Sequence, residues 1–187
     1  MRYRSFIIIA TLGLVVASMG SPKASETQHQ EGLGAQKPMI IIPQSLQTEH
    51  HEIHEALLHA TRIQGRVGLA AQELAAVLHP HFERENQIAL PPLGLLAPLA
   101  AGQTPGNVQE VLAMTDALRK ELPRMLEDHK RIRAATEKLR TVAREEQAAV
   151  QERLAETLAA HAQTEEEVLY PAAILVGDII RARLRNK

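Results

Sequence analysis

Two stretches of the chain place a glutamate four residues after a histidine on an otherwise apolar background: His81 with Glu85, and His161 with Glu165. On a helix this spacing puts imidazole and carboxylate on one face, about 5 to 6 Å apart, an arrangement suited to holding a cation. Laid over each other with a shift of about eighty residues, the two stretches agree step by step. Leu74, Leu78, His81, Glu85, Ile88 and Pro91 match Leu154, Leu158, His161, Glu165, Val168 and Pro171. A second pair repeats as well: Leu46, His50, Ile53 and Leu57, with Glu49 ahead of the histidine, match Met125, His129, Ile132 and Thr136, with Asp128 ahead.

This spacing is the inward stripe of a bundled helix, so the four histidines are expected to face one interior. Burying four imidazoles and two carboxylates without partners costs several kcal/mol for each ion, whereas a multivalent cation turns that penalty into binding energy. His50, His81, Glu85, His129, His161 and Glu165 are therefore the candidate metal ligands. The His-xxx-Glu spacing alone is a weak signal, since His51 and Glu55 share it; its recurrence in one register is what makes it specific. The alternative that needs no metal is a duplicated bundle, acting as an interaction protein, whose buried polar groups bond one another. Donors of this kind suit iron, and zinc and manganese are compatible. His51 points about 100° away from His50, His59 is off the stripe, and His79 falls on the wrong face of its helix. The Glu-x-x-His pairs of ferritin-like bundles occur only as Glu26 with His29, outside the helical region. HExxH zinc chemistry fails because Glu55 stands where the second histidine would have to be.

The elements that would position these residues are helices. Aromatics make up 2% of the chain, Ala, Leu, Glu, Gln and Arg are plentiful, and β-branched runs are scarce. The expected fold is all-α. Helix 1 is expected over residues 46–64 after Ser45, with Gly65 and Gly68 as its stop. Helix 2 is expected over 69–89, strained by Pro80 at a cost of roughly 3 kcal/mol. A Pro/Gly/Ala/Leu connector over 91–106 follows, then Asn107 with Glu110 as a capping box opening helix 3. Residues 124–170 contain neither Gly nor Pro, and a single helix of that length would run about 70 Å. A turn must lie within it, and the repeat places it near 144–148. An amphipathic stretch over 172–185 is expected as a short C-terminal helix.

Residues 1–20 have a basic start (Arg2, Arg4), an apolar run from Phe6 to Val16, and small residues at Ala17, Ser18 and Gly20. That is the layout of a secretory signal, or, uncleaved, of an N-terminal membrane anchor, and the protein is expected to be exported to the periplasm or the exterior. Residues 21–44 are read as a flexible spacer and 45–187 as the bundle. A net charge of −1 with so few aromatics argues against nucleic acid as a partner. The absence of cysteine excludes disulfides and thiolate ligands. No glycine-rich phosphate loop and no Ser-His-Asp set is present.

The segments EHHEI, HFERENQIALPPL, EDHKRI and HAQTEEEVLYP resemble the hemerythrin-like, or HHE cation-binding, family over residues 46–171. The resemblance implies an up-down-up-down four-helix bundle around a non-haem di-iron centre that binds O₂ or related small oxidants. It implies His50, His81, His129 and His161 as imidazole ligands and Glu85 and Glu165 as bridges. The chain departs from oxygen-carrying hemerythrin on the third helix, where Met125 and Arg133 flank His129 in place of a second histidine. His54, one turn beyond His50, is a candidate substitute. The family's acid five residues after the last histidine corresponds to Glu166, while helical geometry favours Glu165. With fewer imidazoles, sensing or scavenging of O₂, nitric oxide or peroxide, or their turnover by a di-iron enzyme, gains on reversible O₂ storage.

Overall fold

The structure, a computed structural model, describes residues 40–186. The signal segment and most of the spacer lie outside the described residues. Among those described, every regular element is helical: α1 (Gln44–Ala60), α2 (Arg66–Ile88), a 3-10 turn (Pro91–Leu95), α3 (Leu96–Ala100), α4 (Val108–Glu145), α5 (Ala149–Thr164), a π-helical turn (Glu165–Leu169) and α6 (Tyr170–Arg185).

Helices α1, α2, α4 and α5 close a ring, α2 and α5 each packing against both α1 and α4. Neighbours run antiparallel. From one end of α2 to the other, Arg66 meets Glu145, Glu73 meets Lys138 and His81 meets His129 of α4. Two apolar clusters fill the ring. Ile53, Leu57, Leu74, Leu78, Ile132 and Leu158 form one; Ile88, Leu118, Met125 and Tyr170 belong to the other. Each buried leucine contributes about 1.5 to 3 kcal/mol. Because Leu78 and Ile88 flank His81 and Glu85, and Met125 and Ile132 flank His129, the polar residues form a layer between the clusters.

The turn required within residues 124–170 falls at 146–148, where Gln147 takes a φ of 57°. The Ala148 amide bonds the Ala143 carbonyl at 2.8 Å, a Schellman-type stop made without glycine.

Several expectations are corrected. Gly68 lies inside α2 and stops nothing; a Cβ there would stand 1.7 Å from the Ile63 carbonyl oxygen, so glycine lets the preceding turn fold onto the helix. Helix 1 ends four residues early, at Ala60, and Gly65, with φ of 92°, precedes the start of α2. Pro80, by contrast, lies within α2 as expected, and its missing N–H costs a hydrogen bond to the Ala76 carbonyl. Asn107 bonds the Glu110 side chain at 3.1 Å and caps no backbone amide. The connector is largely helical. The spacer is shorter than 21–44, because Ile40 and Ile42 pack on the bundle and Ile41 runs so close to Gly94 that a Cβ there would meet its carbonyl oxygen at 1.8 Å. The C-terminal helix continues α5 through the π turn, with helical dihedrals kept at Glu165 and Tyr170, and packs on α4 and the 3-10 turn. Among the described residues no helix is long and apolar enough to cross a membrane.

Candidate metal centre

Each ring helix delivers one histidine to the polar layer: His50 from α1, His81 from α2, His129 from α4 and His161 from α5. Glu85 follows His81 by one turn of α2, and Glu165 opens the π turn after α5. All six are buried, Glu85 at 0% exposure and Glu165 at 1%.

The carboxylates lie between two pairs of imidazoles. Glu165 places Oε2 3.3 Å from His129 Nε2, and Oε1 2.9 Å from His161 Nε2 and 3.4 Å from His50 Nε2. Glu85 places Oε1 3.4 Å from His81 Nε2 and Oε2 3.9 Å from His50 Nε2. One donor atom from each of His81, Glu85, His129 and Glu165 falls within 4.8 Å of the others, and His50, His161 and Glu165 form a second such group. Glu165 is common to both.

Many of these donors have no protein partner. His50 Nδ1 and Nε2, His81 Nδ1, His161 Nε2, Glu85 Oε2 and Glu165 Oε1 are buried without a hydrogen bond. His161 Nε2 is close to Glu165 Oε1, but the two are not aligned to bond. His81 Nε2 and His129 Nε2 face each other at 2.8 Å. Each unsatisfied buried group costs about 1 to 3 kcal/mol, more if charged. Nitrogen and oxygen lone pairs turned toward a shared space fit a metal ion better than they fit one another, and these buried His/Glu groups could hold one.

Electrostatics follow from this crowding. Burial, then the Glu165 charge, pushes the Glu85 carboxyl up. Burial would raise Glu165 too, but the close imidazoles of His129, His161 and His50 outweigh it and hold this carboxyl well below the ordinary value. His161 is lowered by burial yet ends raised to about 9, because Glu165 and then Glu49 favour its charged form. His129 is raised in the same way, Glu165 outweighing burial.

Two of the histidines are oriented from outside. His129 Nδ1 meets Glu166 Oε1 at 2.8 Å, and Arg133 holds the same oxygen at 2.6 Å. His161 Nδ1 meets Glu49 Oε1 at 3.0 Å. A carboxylate on Nδ1 fixes the ring so that Nε2 faces inward. Glu166, considered from sequence as a ligand, thus stands behind one. His54 also stays apart from the cluster, with its side chain 40% exposed near Glu55.

Sequence reasoning missed Tyr170. Its buried hydroxyl donates to Glu85 Oε1 at 2.5 Å and lies 3.1 Å from His129 Nε2 and 3.3 Å from His81 Nε2. Five residues along a regular α-helix turn a side chain about 140° away, so Tyr170 reads as facing away from Glu165. The π turn undoes that rotation. The Tyr170 amide bonds the Glu165 carbonyl, and the Leu90 amide bonds the Glu85 carbonyl at 3.0 Å in the same i to i+5 manner. Each wide turn precedes a proline, Pro91 or Pro171, whose ring would clash with the carbonyl four residues earlier in a regular helix. Proline after the glutamate was the available signal. Phe82, also unremarked in the sequence, stacks on His50 with ring centroids 4.2 Å apart.

No protein-family model matches the chain, and no curated protein or solved structure matches it.

Proposed function

We propose that this chain is a hemerythrin-like, non-haem metal protein, with a di-iron centre that binds or senses O₂, nitric oxide or peroxide. The observation that carries the reading is Glu165, whose two carboxylate oxygens are directed to different imidazole pairs. His81 and His129 would hold one ion, His50 and His161 the other, and Glu85 and Glu165 would lie between them. When bound, a pair of iron ions supplies the capacity to take up a small oxidant by exchanging electrons with it. The chain's own residues do the rest. Phe82 covers one face of His50, Glu49 and Glu166 fix two imidazoles, and the apolar clusters exclude water, which strengthens every charge interaction within. The resemblance to hemerythrin-like sequences, the ring of four helices and the donor chemistry support iron. The sequence pattern of residues 1–20 supports an exported protein.

Tyr170 favours a second reading, turnover of peroxide or nitric oxide, because its hydroxyl is a proton donor inside the cluster. One experiment addresses both. Protein loaded anaerobically with Fe²⁺ is mixed with O₂, nitric oxide or hydrogen peroxide, and its optical spectrum and the remaining oxidant are followed. A spectral change complete at one equivalent supports binding; continued consumption of peroxide, which can disproportionate unaided, or of nitric oxide with ascorbate supplied as reductant, supports turnover. Iron-loaded protein that responds to none of the three would refute both.

A further inference from the structure

Among the described residues, clefts touch histidines of the buried centre at His81 and at His50, and the two differ in charge. One, of about 180 Å³, touches His81 and is lined by Arg84, Arg124 and Arg131 against a single carboxylate, Asp128. The other, of about 400 Å³, has His50 and Phe82 in its wall, with His51, His54, His79 and Glu83 around them and neither lysine nor arginine. His54 follows His50 by one turn of α1, and Glu83 follows His79 by one turn of α2. The His54 and His79 rings meet edge to face across the two helices, their centroids 4.8 Å apart. His50 belongs to both the cleft and the centre: it lines the cleft while its Nε2 faces Glu85 and Glu165.

We propose that this cleft captures a divalent transition-metal ion, on His54 and His79 with help from His51 and Glu83, and passes it by way of His50 to the buried centre. Nitrogen-rich donors select ions such as Fe²⁺, Co²⁺, Ni²⁺ and Zn²⁺ over Mg²⁺ and Ca²⁺, which take oxygen ligands. The Glu83 carboxylate draws cations in, whereas the other cleft keeps an excess of positive charge, Arg84 pairing with Glu121 while Arg124 and Arg131 share the single carboxylate of Asp128. Among the described residues, donor sets gathered within 4.8 Å occur at the buried centre alone. The cleft side chains must turn to close on an ion, which suits a weak site that gives its ion up. Transfer rests on the buried cluster being a metal centre; capture does not.

Two measurements separate these halves. In a Glu85→Gln/Glu165→Gln variant, whose centre lacks its carboxylates, calorimetric titration with Ni²⁺ should still show one weakly bound ion. Adding His54→Ala and His79→Ala should abolish it, and unchanged Ni²⁺ binding would overturn capture. In the otherwise native chain, uptake of Co²⁺ from a chromophoric chelator should slow roughly tenfold or more in His54→Ala/His79→Ala, with the same final metal content. His59→Ala, at an exposed α1 position outside the cleft, should load at the native rate. His54→Gln/His79→Gln, which keeps side-chain bulk, should load as slowly as the alanine pair. Native loading rates in both double variants would overturn the route. A native chain that takes up no ion at its centre while the cleft still binds Ni²⁺ would overturn transfer, and with it the metal-centre reading, and would support capture.

Discussion

Glu165 Oε1 lies 2.9 Å from His161 Nε2 while its Oε2 lies 3.3 Å from His129 Nε2, so one carboxylate joins histidines from two different helices. If it is shared by both ions, its loss harms both. Glu165→Ala should leave the protein with almost no tightly held metal, whereas His161→Ala should spare the ion on the His81 side. Elemental analysis of the purified variants decides this. Equal metal content in Glu165→Ala and the unaltered chain would remove the bridging role.

Glu49 and Glu166 touch His161 and His129 only at Nδ1. Replacing either by alanine should weaken metal affinity roughly 10- to 100-fold and leave the ligand set intact. Glu167, exposed one residue beyond Glu166, supplies the control. Competition with a chelator gives the affinities, and native values in both variants would show that these contacts orient nothing of consequence.

In the metal-free protein His161 is raised to about 9: burial lowers it, and Glu165 and then Glu49 outweigh burial. A raised histidine contributes stability that is fully present below its unfolded value of about 6.5 and is lost as pH climbs through the folded one. Thermal stability of the metal-free chain should therefore fall between about pH 6.5 and about 9, and this part of the decline should be missing in His161→Gln. Glu165, held well below its usual range, acts at the other end: its contribution is present above about pH 4.5 and is lost on acidification. Metal uptake at neutral pH should expel the His161 proton, visible as a buffer-dependent heat of binding. A heat independent of the buffer would contradict the protonated starting state.

Tyr170→Phe keeps the ring and removes the hydroxyl that donates to Glu85 and lies beside His129 and His81. Metal-free protein carrying this change should lose about 1 to 3 kcal/mol in denaturant unfolding, the cost of leaving a buried acceptor unmet. Unchanged stability would mean that Glu85 finds another partner.

The ring and its polar layer were legible because the spacing of His50, His81, His129 and His161 among leucines and isoleucines follows from helix geometry alone. The hidden turn was legible from length, since the repeat demanded a reversal where no glycine marked one. Tyr170 was not, because its direction depends on a π turn that α-helical spacing cannot anticipate. Glu166 entered as a ligand candidate through the resemblance, which counts five residues from His161, but only the packing of α4 puts His129 and Arg133 in front of it. Gly68 looked like a stop, and its actual cause, the close approach of the Ile63 carbonyl, is a tertiary contact.

Anomalous diffraction at the iron edge, from crystals of the Fe²⁺-loaded chain, addresses the central claim most directly. Two peaks inside the ring are predicted, one beside His81 and His129 and one beside His50 and His161, with the Glu165 carboxylate between them. An iron-free interior in which the six side chains bond only one another would contradict the account.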